Sequence, residues 1–136
     1  MTLENQVCSL PLAKRLKELG VKQESQFRWI GLTGNPADQA IMFIGQHGSY
    51  PTAWDEGVAA FTVAELGEML PHLVMIDGKK WFCATIKWSD VRWEAHLIQQ
   101  GMKDIEQVTG PEDIEADARA KMLVYLLENK LIALAA

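Results

Sequence analysis

The stretch GQHGSYPTAWDEG, residues 45–57, contains the densest set of side chains that could do chemistry. Its imidazole, hydroxyl and carboxyl groups come from His47, Ser49, Tyr50, Asp55 and Glu56. A serine, a histidine and a carboxylate can form a catalytic triad, but only their geometry establishes one, and solvated loops commonly contain these residue types. The chain has no G-x-S-x-G, Walker or dinucleotide-binding motif. We therefore assign no catalytic residue, and an enzyme or small-ligand binder using this loop is the alternative function.

The same loop is the predicted binding site because it holds large aromatic side chains. Connections in compact domains usually have about four to six residues, and this one is longer. Rigid aromatic side chains lose little entropy on binding, so exposed ones often anchor partners. The candidate binding residues of the loop are His47, Tyr50, Trp54 and Asp55. The competing interpretation is that Trp54 folds back as cover for the core.

Trp81 is the fifth candidate binding residue. In the segment WFCATIKW, apolar residues alternate with period two, which is typical of a strand. This alternation places Trp81 on the face opposite Phe82 and Ile86. Trp81 could therefore anchor a partner, or it could be covered by a helix packed on that face.

The histidines and cysteines do not have the spacing of a metal site. Structural zinc ligands usually come in close pairs, such as C-x-x-C or H-x3-H. No such pair is formed by His47, His72, His96, Cys8 and Cys83. We therefore predict no metal and no cofactor. His96 falls on the solvent-exposed face of a predicted strand, VRWEAHL, and is expected to be an ordinary surface histidine.

Length and composition predict one soluble domain. The chain has 136 residues, of which 49% are hydrophobic and 23% are charged, so it can bury a core. A net charge of -5 argues against binding to a phosphate backbone, and no nucleic acid is expected as a partner. Two cysteines are too few for a disulfide framework and favour a reducing cytoplasm. No signal peptide or membrane span is predicted.

Three helices are predicted, each from a start signal. Ser9 is expected to cap the first helix with its hydroxyl, and Gly20 to end it. Thr62 and Glu65 form a T-x-x-E capping box at the start of the second. The third is expected to start near Glu112, and acidic residues follow at its positive dipole end.

The remaining segments predict strands. QFRWIGL and AIMFIG are two strands joined by TGNPAD, and Asp77-Gly78 joins two further apolar runs in a hairpin. WFCATIKW and VRWEAHL alternate, so one face of the sheet is core and the other is partly wet. The predicted fold is a single α+β domain, residues 1–136, with an antiparallel sheet of about five strands in a β-hairpin meander and three packed helices.

The first helix resembles the start of a helix-turn-helix. The sequence LAKRLKELGV has a leucine stripe followed by a glycine turn. The next segment, KQESQFRWIGL, is aromatic and prone to form a strand, so it does not suit a recognition helix. We therefore interpret the first helix as amphipathic, with a solvated basic face.

Three blocks of sequence resemble a set of small proteins encoded in phages and prophages. The blocks are NQVCSLPLAKRLKELGVKQES, AFTVAELGEMLP and EADARAKMLVYLLENKLI, and they cover a little over a third of the chain. The resemblance implies a phage or prophage accessory protein in the host cytoplasm. It implies no known chemistry, so no site residue is carried over.

The predicted function is a protein-binding module whose partner is a phage or host protein. From Met122 to Leu127 every residue is apolar, so this half of the last helix has no solvent face of its own. Either the helix crosses the sheet under a second helix, or it completes its burial in a homodimer. A weaker pattern analogy links the strands and last helix to antitoxin-like partners of RNA-cleaving toxins.

Overall fold

The computed structural model describes residues 2–31, 39–43, 57–88, 92–101 and 104–134. Within these residues, three α-helices and two antiparallel sheets form an α+β fold, as predicted. The sheets have three and four strands, so the prediction of one sheet of about five strands is wrong in this detail. The second helix interrupts the chain between the two sheets, and the strands on either side of it pair with different neighbours.

The three-stranded sheet has the order β2-β1-β3. Strand β1 is Phe27–Gly31, β2 is Gln39–Phe43 and β3 is Val58–Ala59. The antiparallel pairing of β1 with β2 confirms the two predicted strands, and the segment TGNPAD predicted to join them lies outside the described residues. Strand β3 was not predicted, since two residues are too few to show alternation.

The four-stranded sheet is a meander in which consecutive strands are neighbours. Its strands are β4 Leu73–Ile76, β5 Lys79–Trp88, β6 Arg92–Gln99 and β7 Ile105–Glu112. The predicted Asp77-Gly78 turn joins β4 to β5, and both residues have positive φ, as a tight hairpin turn requires. Strand β7 was not recognised because its sequence IEQVTGPE is mostly polar, and its pairing with β6 has two register shifts.

Helix α1, Leu10–Glu18, has a different start from the one predicted. The Ser9 side chain makes no capping hydrogen bond. Instead, the Ser9 N–H donates to Asp117 Oδ1 at 2.7 Å, which ties the start of α1 to the last helix. The segment that follows α1 leads into β1, so a recognition helix does not follow it.

Helix α2, Val63–Met69, begins with the predicted capping box. The Glu65 N–H donates to Thr62 Oγ1 at 3.1 Å, and the Thr62 N–H donates to Glu65 Oε1 at 2.9 Å. The Ser25 hydroxyl donates to the same carboxylate oxygen at 2.8 Å. This carboxylate therefore also joins α2 to the segment before β1.

Helix α3, Glu115–Glu128, starts three residues later than predicted because Glu112 is the last residue of β7. It contacts α1 and α2 on one side and β5, β6 and β7 on the other. Its fully buried side chains are Ala116, Ala118, Ala120, Met122, Leu123 and Leu126. The other apolar residues of this half, Val124, Tyr125 and Leu127, are partly buried against the core. The apolar half of α3 therefore packs within the chain itself, as the first of the two interpretations proposed.

Two clusters of buried residues form the core. The first lies among α1, α2, β3 and one side of α3, and the second lies between α3 and the four-stranded sheet. Leu70 and Ile132 pack against both clusters. In the part of the chain that the structure describes, no helix is long and apolar enough to cross a membrane.

Candidate functional site

Four of the five predicted binding residues, His47, Tyr50, Trp54 and Asp55, lie outside the residues that the structure describes. The fifth, Trp81, lies in β5 and is partly buried against the second core cluster, with Met122 and Leu126 of α3. We call the face of the four-stranded sheet that packs on α3 the inner face, and the opposite one the outer face. Trp81 lies on the inner face.

The Trp81 indole has an unusual environment for a buried polar group. Its Nε1–H has no acceptor among the described residues. Gln99 lies directly opposite Trp81 on β6, and its Oε1 is also buried without a donor there. Trp81 is therefore placed by apolar packing and not by hydrogen bonding.

The outer face carries a continuous apolar row across all four strands. Leu73 lies opposite Phe82, Phe82 opposite Ile98, and Ile98 opposite Ile105. With neighbouring strands about 4.8 Å apart, the row is about 14 Å wide. Leu73 is 40% exposed, and Ile105 and Met75 are each 55% exposed. Met75 is the next residue of β4 on the same face as Leu73. Phe82 and Ile98 between them are half-buried, so the row forms an apolar patch that is most exposed at its two ends.

The charges on the outer face are positive at its ends. Lys80 lies opposite Met75, and Arg92 lies at the far end of β6, opposite Trp88. Both are exposed, and strand alternation places both on the outer face. The chain as a whole has a net charge of -5, so this cationic rim is a local feature.

His96 lies near the centre of the outer face, and the prediction of a surface histidine is wrong. It is only 7% exposed, and its Nε2 lies 3.0 Å from Glu94 Oε1. Its Nδ1 is buried with no partner among the described residues. Gly110 of β7 makes room for this pair, because a Cβ at that position would lie 2.7 Å from Glu94 Cγ. The structure thus buries a residue that alternation alone placed in water.

A cleft of about 280 Å³ opens beside the sheet, where the chain passes from α2 to β4. It is lined by Gly67, Leu70, Pro71, His72, Cys83, Ala84, Thr85, Arg119 and Met122. Burial raises the pKa of the Cys83 thiol to about 11, so the thiol stays protonated and is not an activated nucleophile.

The guanidinium of Arg119 is the charged group of this cleft. It pairs with Glu115 Oε2 at 3.1 Å and donates from Nη1 to the Val63 carbonyl at 3.2 Å. Its Nε–H is buried without an acceptor in the described part of the chain. Gly67 is what lets the guanidinium lie against α2, because a Cβ there would overlap with Nη1.

Sequence reasoning missed the outer face, although one signal for it was present. Strand β4 is LVMI, apolar at every position. In an antiparallel sheet with one wet face, alternation is expected, and an uninterrupted apolar strand indicates that both faces are apolar. The cleft had no local signal, since its lining residues come from α2, the α2–β4 connection, β5 and α3.

No protein-family model, no curated protein and no solved structure matches the chain. The resemblance to phage and prophage proteins therefore stays a prediction. Function is inferred below from the surfaces of this chain alone.

Proposed function

We propose that the protein is a protein-binding module that docks a partner on the outer face of its four-stranded sheet. The observation that supports this most directly is the apolar row Leu73, Phe82, Ile98 and Ile105, which crosses the whole sheet and is exposed at both ends. Burying such a row releases about 25 cal/mol for each Å² of apolar surface. The outer face is thus a source of binding energy.

The partner surface that fits best is an amphipathic helix with acidic residues beside its apolar stripe. On the inner face, the 14-residue helix α3 covers β5, β6 and β7, so one helix of similar length matches the outer face in size. The exposed cations Lys80 and Arg92 favour carboxylates at the ends of such a helix. A second copy of this chain fits less well, because face-to-face packing brings two cationic rims together.

The biological setting is part of the same proposal. The three sequence blocks support a phage or prophage accessory protein. The free thiols of Cys8 and Cys83 support a reducing compartment such as the host cytoplasm. The partner is then a phage or host protein that presents the acidic amphipathic helix.

The test compares capture of partners from a bacterial host lysate by three proteins with the same affinity tag. We expect the wild-type chain to retain a partner that the double variant Met75→Glu, Ile105→Glu loses, since the variant places two carboxylates on the docking face. Leu134→Glu is the matched control, because Leu134 is 41% exposed and contacts Gly20, away from this face. It should retain the partner.

Melting temperatures of the three proteins should be similar, since the substituted side chains are exposed. If the double variant folds and captures the same proteins as the wild type, the outer face is not the docking surface.

A further inference from the structure

Strand β5 is longer than the strand that pairs with one of its edges. Strand β4 pairs only with Lys79–Phe82, whereas β6 pairs with Trp81–Trp88 on the other side. From Cys83 to Trp88, no strand among the described residues lies on the β4 side. We call this stretch the open edge.

The main-chain groups that point outward along the open edge can be identified. The Gln100 N–H donates to the Lys80 carbonyl at 2.9 Å, so the main-chain groups of Lys80 point toward β6. In an antiparallel ladder, successive residues point their N–H and C=O groups to opposite sides. Cys83, Thr85 and Lys87 therefore present theirs at the open edge, and such groups are a template for another strand.

The cleft described above lies directly beside this edge, and its lining includes Cys83 and Thr85. Residues opposite each other in an antiparallel pair have side chains on the same face. A residue paired with Thr85 would therefore direct its side chain toward the cleft. The volume of about 280 Å³ is sufficient for one side chain, since an engineered cavity of about 150 Å³ admits benzene.

The chemistry of the cleft favours a carboxylate as that side chain. Arg119 is its charged group, and its buried Nε–H has no acceptor among the described residues. Its Nη1 and Nη2 already contact the Val63 carbonyl and Glu115, so Nε–H is the group left to bind a ligand. A carboxylate oxygen suits it best, because a hydrogen bond between two charged groups is stronger than one to a neutral acceptor. A lysine in the same place would meet like charge.

We propose that the open edge binds an extended segment of a partner protein as an additional strand, with an aspartate or glutamate side chain inserted into the cleft beside Arg119. This interaction surface is separate from the outer face and does not depend on it. Self-association through the open edge is disfavoured by charge. In the antiparallel register that pairs Thr85 with Thr85, Lys87 of one copy lies opposite Cys83 of the other, near Arg119.

Hydrogen exchange of the free protein tests the first step of this proposal. The amide protons of Thr85 and Lys87 should exchange at least about tenfold faster than those of Ala84 and Ile86, which pair with β6. Slow exchange at Thr85 and Lys87 in the free chain would show that the edge is already paired, and would overturn the proposal.

The second step is tested with a designed probe, an acetylated nonapeptide of alternating threonine and valine with a central glutamate. We expect it to bind, and to slow amide exchange at Cys83, Thr85 and Lys87. A central glutamine should weaken binding about tenfold through loss of the charge-assisted bond, and a central lysine should abolish it. Equal binding of the glutamate, glutamine and lysine peptides would overturn the role of the cleft.

Two variants complete the test on the protein side. Thr85→Pro removes an outward N–H, which an edge position tolerates, so the chain should fold and lose the peptide. Gly67→Ala should weaken binding without removing a charge, because the new Cβ displaces the guanidinium. The outer-face variant Met75→Glu, Ile105→Glu should bind the peptide like the wild type. If Thr85→Pro folds and still binds it, strand addition at this edge is wrong.

Discussion

The Trp81 indole packs against the second core cluster, but its Nε1–H makes no hydrogen bond within the described residues. We expect Trp81→Phe to leave the free energy of unfolding unchanged or to raise it, because the substitution removes a buried donor that has no acceptor. Trp81→Ala should lower it by about 3 kcal/mol, near the small end of the range for buried tryptophans, since Trp81 is only partly buried. Urea denaturation of the three proteins measures both values. A large loss in Trp81→Phe would mean that the indole N–H does have a partner.

Gly67 and Arg119 are predicted to be coupled. Alanine is more favourable than glycine inside a helix by about 1 kcal/mol. In the wild-type background, Gly67→Ala should raise the free energy of unfolding by less than this, because its Cβ displaces the Arg119 guanidinium from the Val63 carbonyl. In an Arg119→Ala background, Gly67→Ala should raise the free energy of unfolding by the full amount. A double-mutant cycle measures the difference, and additive effects would contradict the contact.

Asp117 predicts a dependence of stability on pH. Burial raises the pKa of its carboxyl above the ordinary value of 3.8, and the hydrogen bond from the Ser9 N–H only partly offsets this effect. The folded state therefore binds the proton more tightly than the unfolded state, and the contribution of Asp117 to stability falls as pH rises through the window that begins at 3.8.

The variant Asp117→Asn isolates this effect, since an amide oxygen can still accept from Ser9. Its stability relative to the wild type should increase as pH rises from about 4 toward neutrality, as measured by denaturation at several pH values. A constant difference across that range would show that the carboxyl has an ordinary pKa.

Among the elements, α3 is the one on which the fold depends, because its buried residues belong to both core clusters. Leu126→Asp places a charge where the side chain is fully buried, at a cost of several kcal/mol, and should unfold the chain. Lys121→Ala is the control on the same helix. Its ion pair with Glu112 is partly exposed and should contribute no more than about 1 kcal/mol. Circular dichroism melting curves distinguish the two outcomes, and a cooperative transition near the wild-type temperature in Leu126→Asp would contradict the burial.

At the scale of the whole molecule, the two thiols report on the two core clusters. Cys8 belongs to the first cluster, and Cys83 packs against the second. Burial raises the pKa of Cys8 to about 12 and that of Cys83 to about 11, so both thiols should react slowly with a disulfide reagent in the folded state.

Because α3 joins both clusters, we expect the two thiols to become reactive at the same urea concentration. Labelling followed by peptide mass spectrometry measures the two midpoints separately. Two distinct midpoints would show that the clusters unfold independently.

The sequence by itself determined the features that depend on neighbouring residues. The capping box of Thr62 and Glu65 and the Asp77-Gly78 turn were predicted because each is a hydrogen-bonding or backbone preference within four residues. The α+β class followed from the two periods of apolar residues. The burial of the apolar half of α3 followed as one of two interpretations.

Only the tertiary structure decided which surfaces are left open. The division into two sheets depends on β3 pairing with β1, about 30 residues away along the chain, and no local pattern encodes such a pairing. For the same reason, the Ser9 hydroxyl does not cap α1, and the Ser9 N–H donates to Asp117 on α3. His96 is buried although strand alternation alone placed it in water, and the row from Leu73 to Ile105 became one surface only when four strands aligned in register. Local sequence fixes which side chains share a strand face, whereas long-range pairing determines what lies beside and above them.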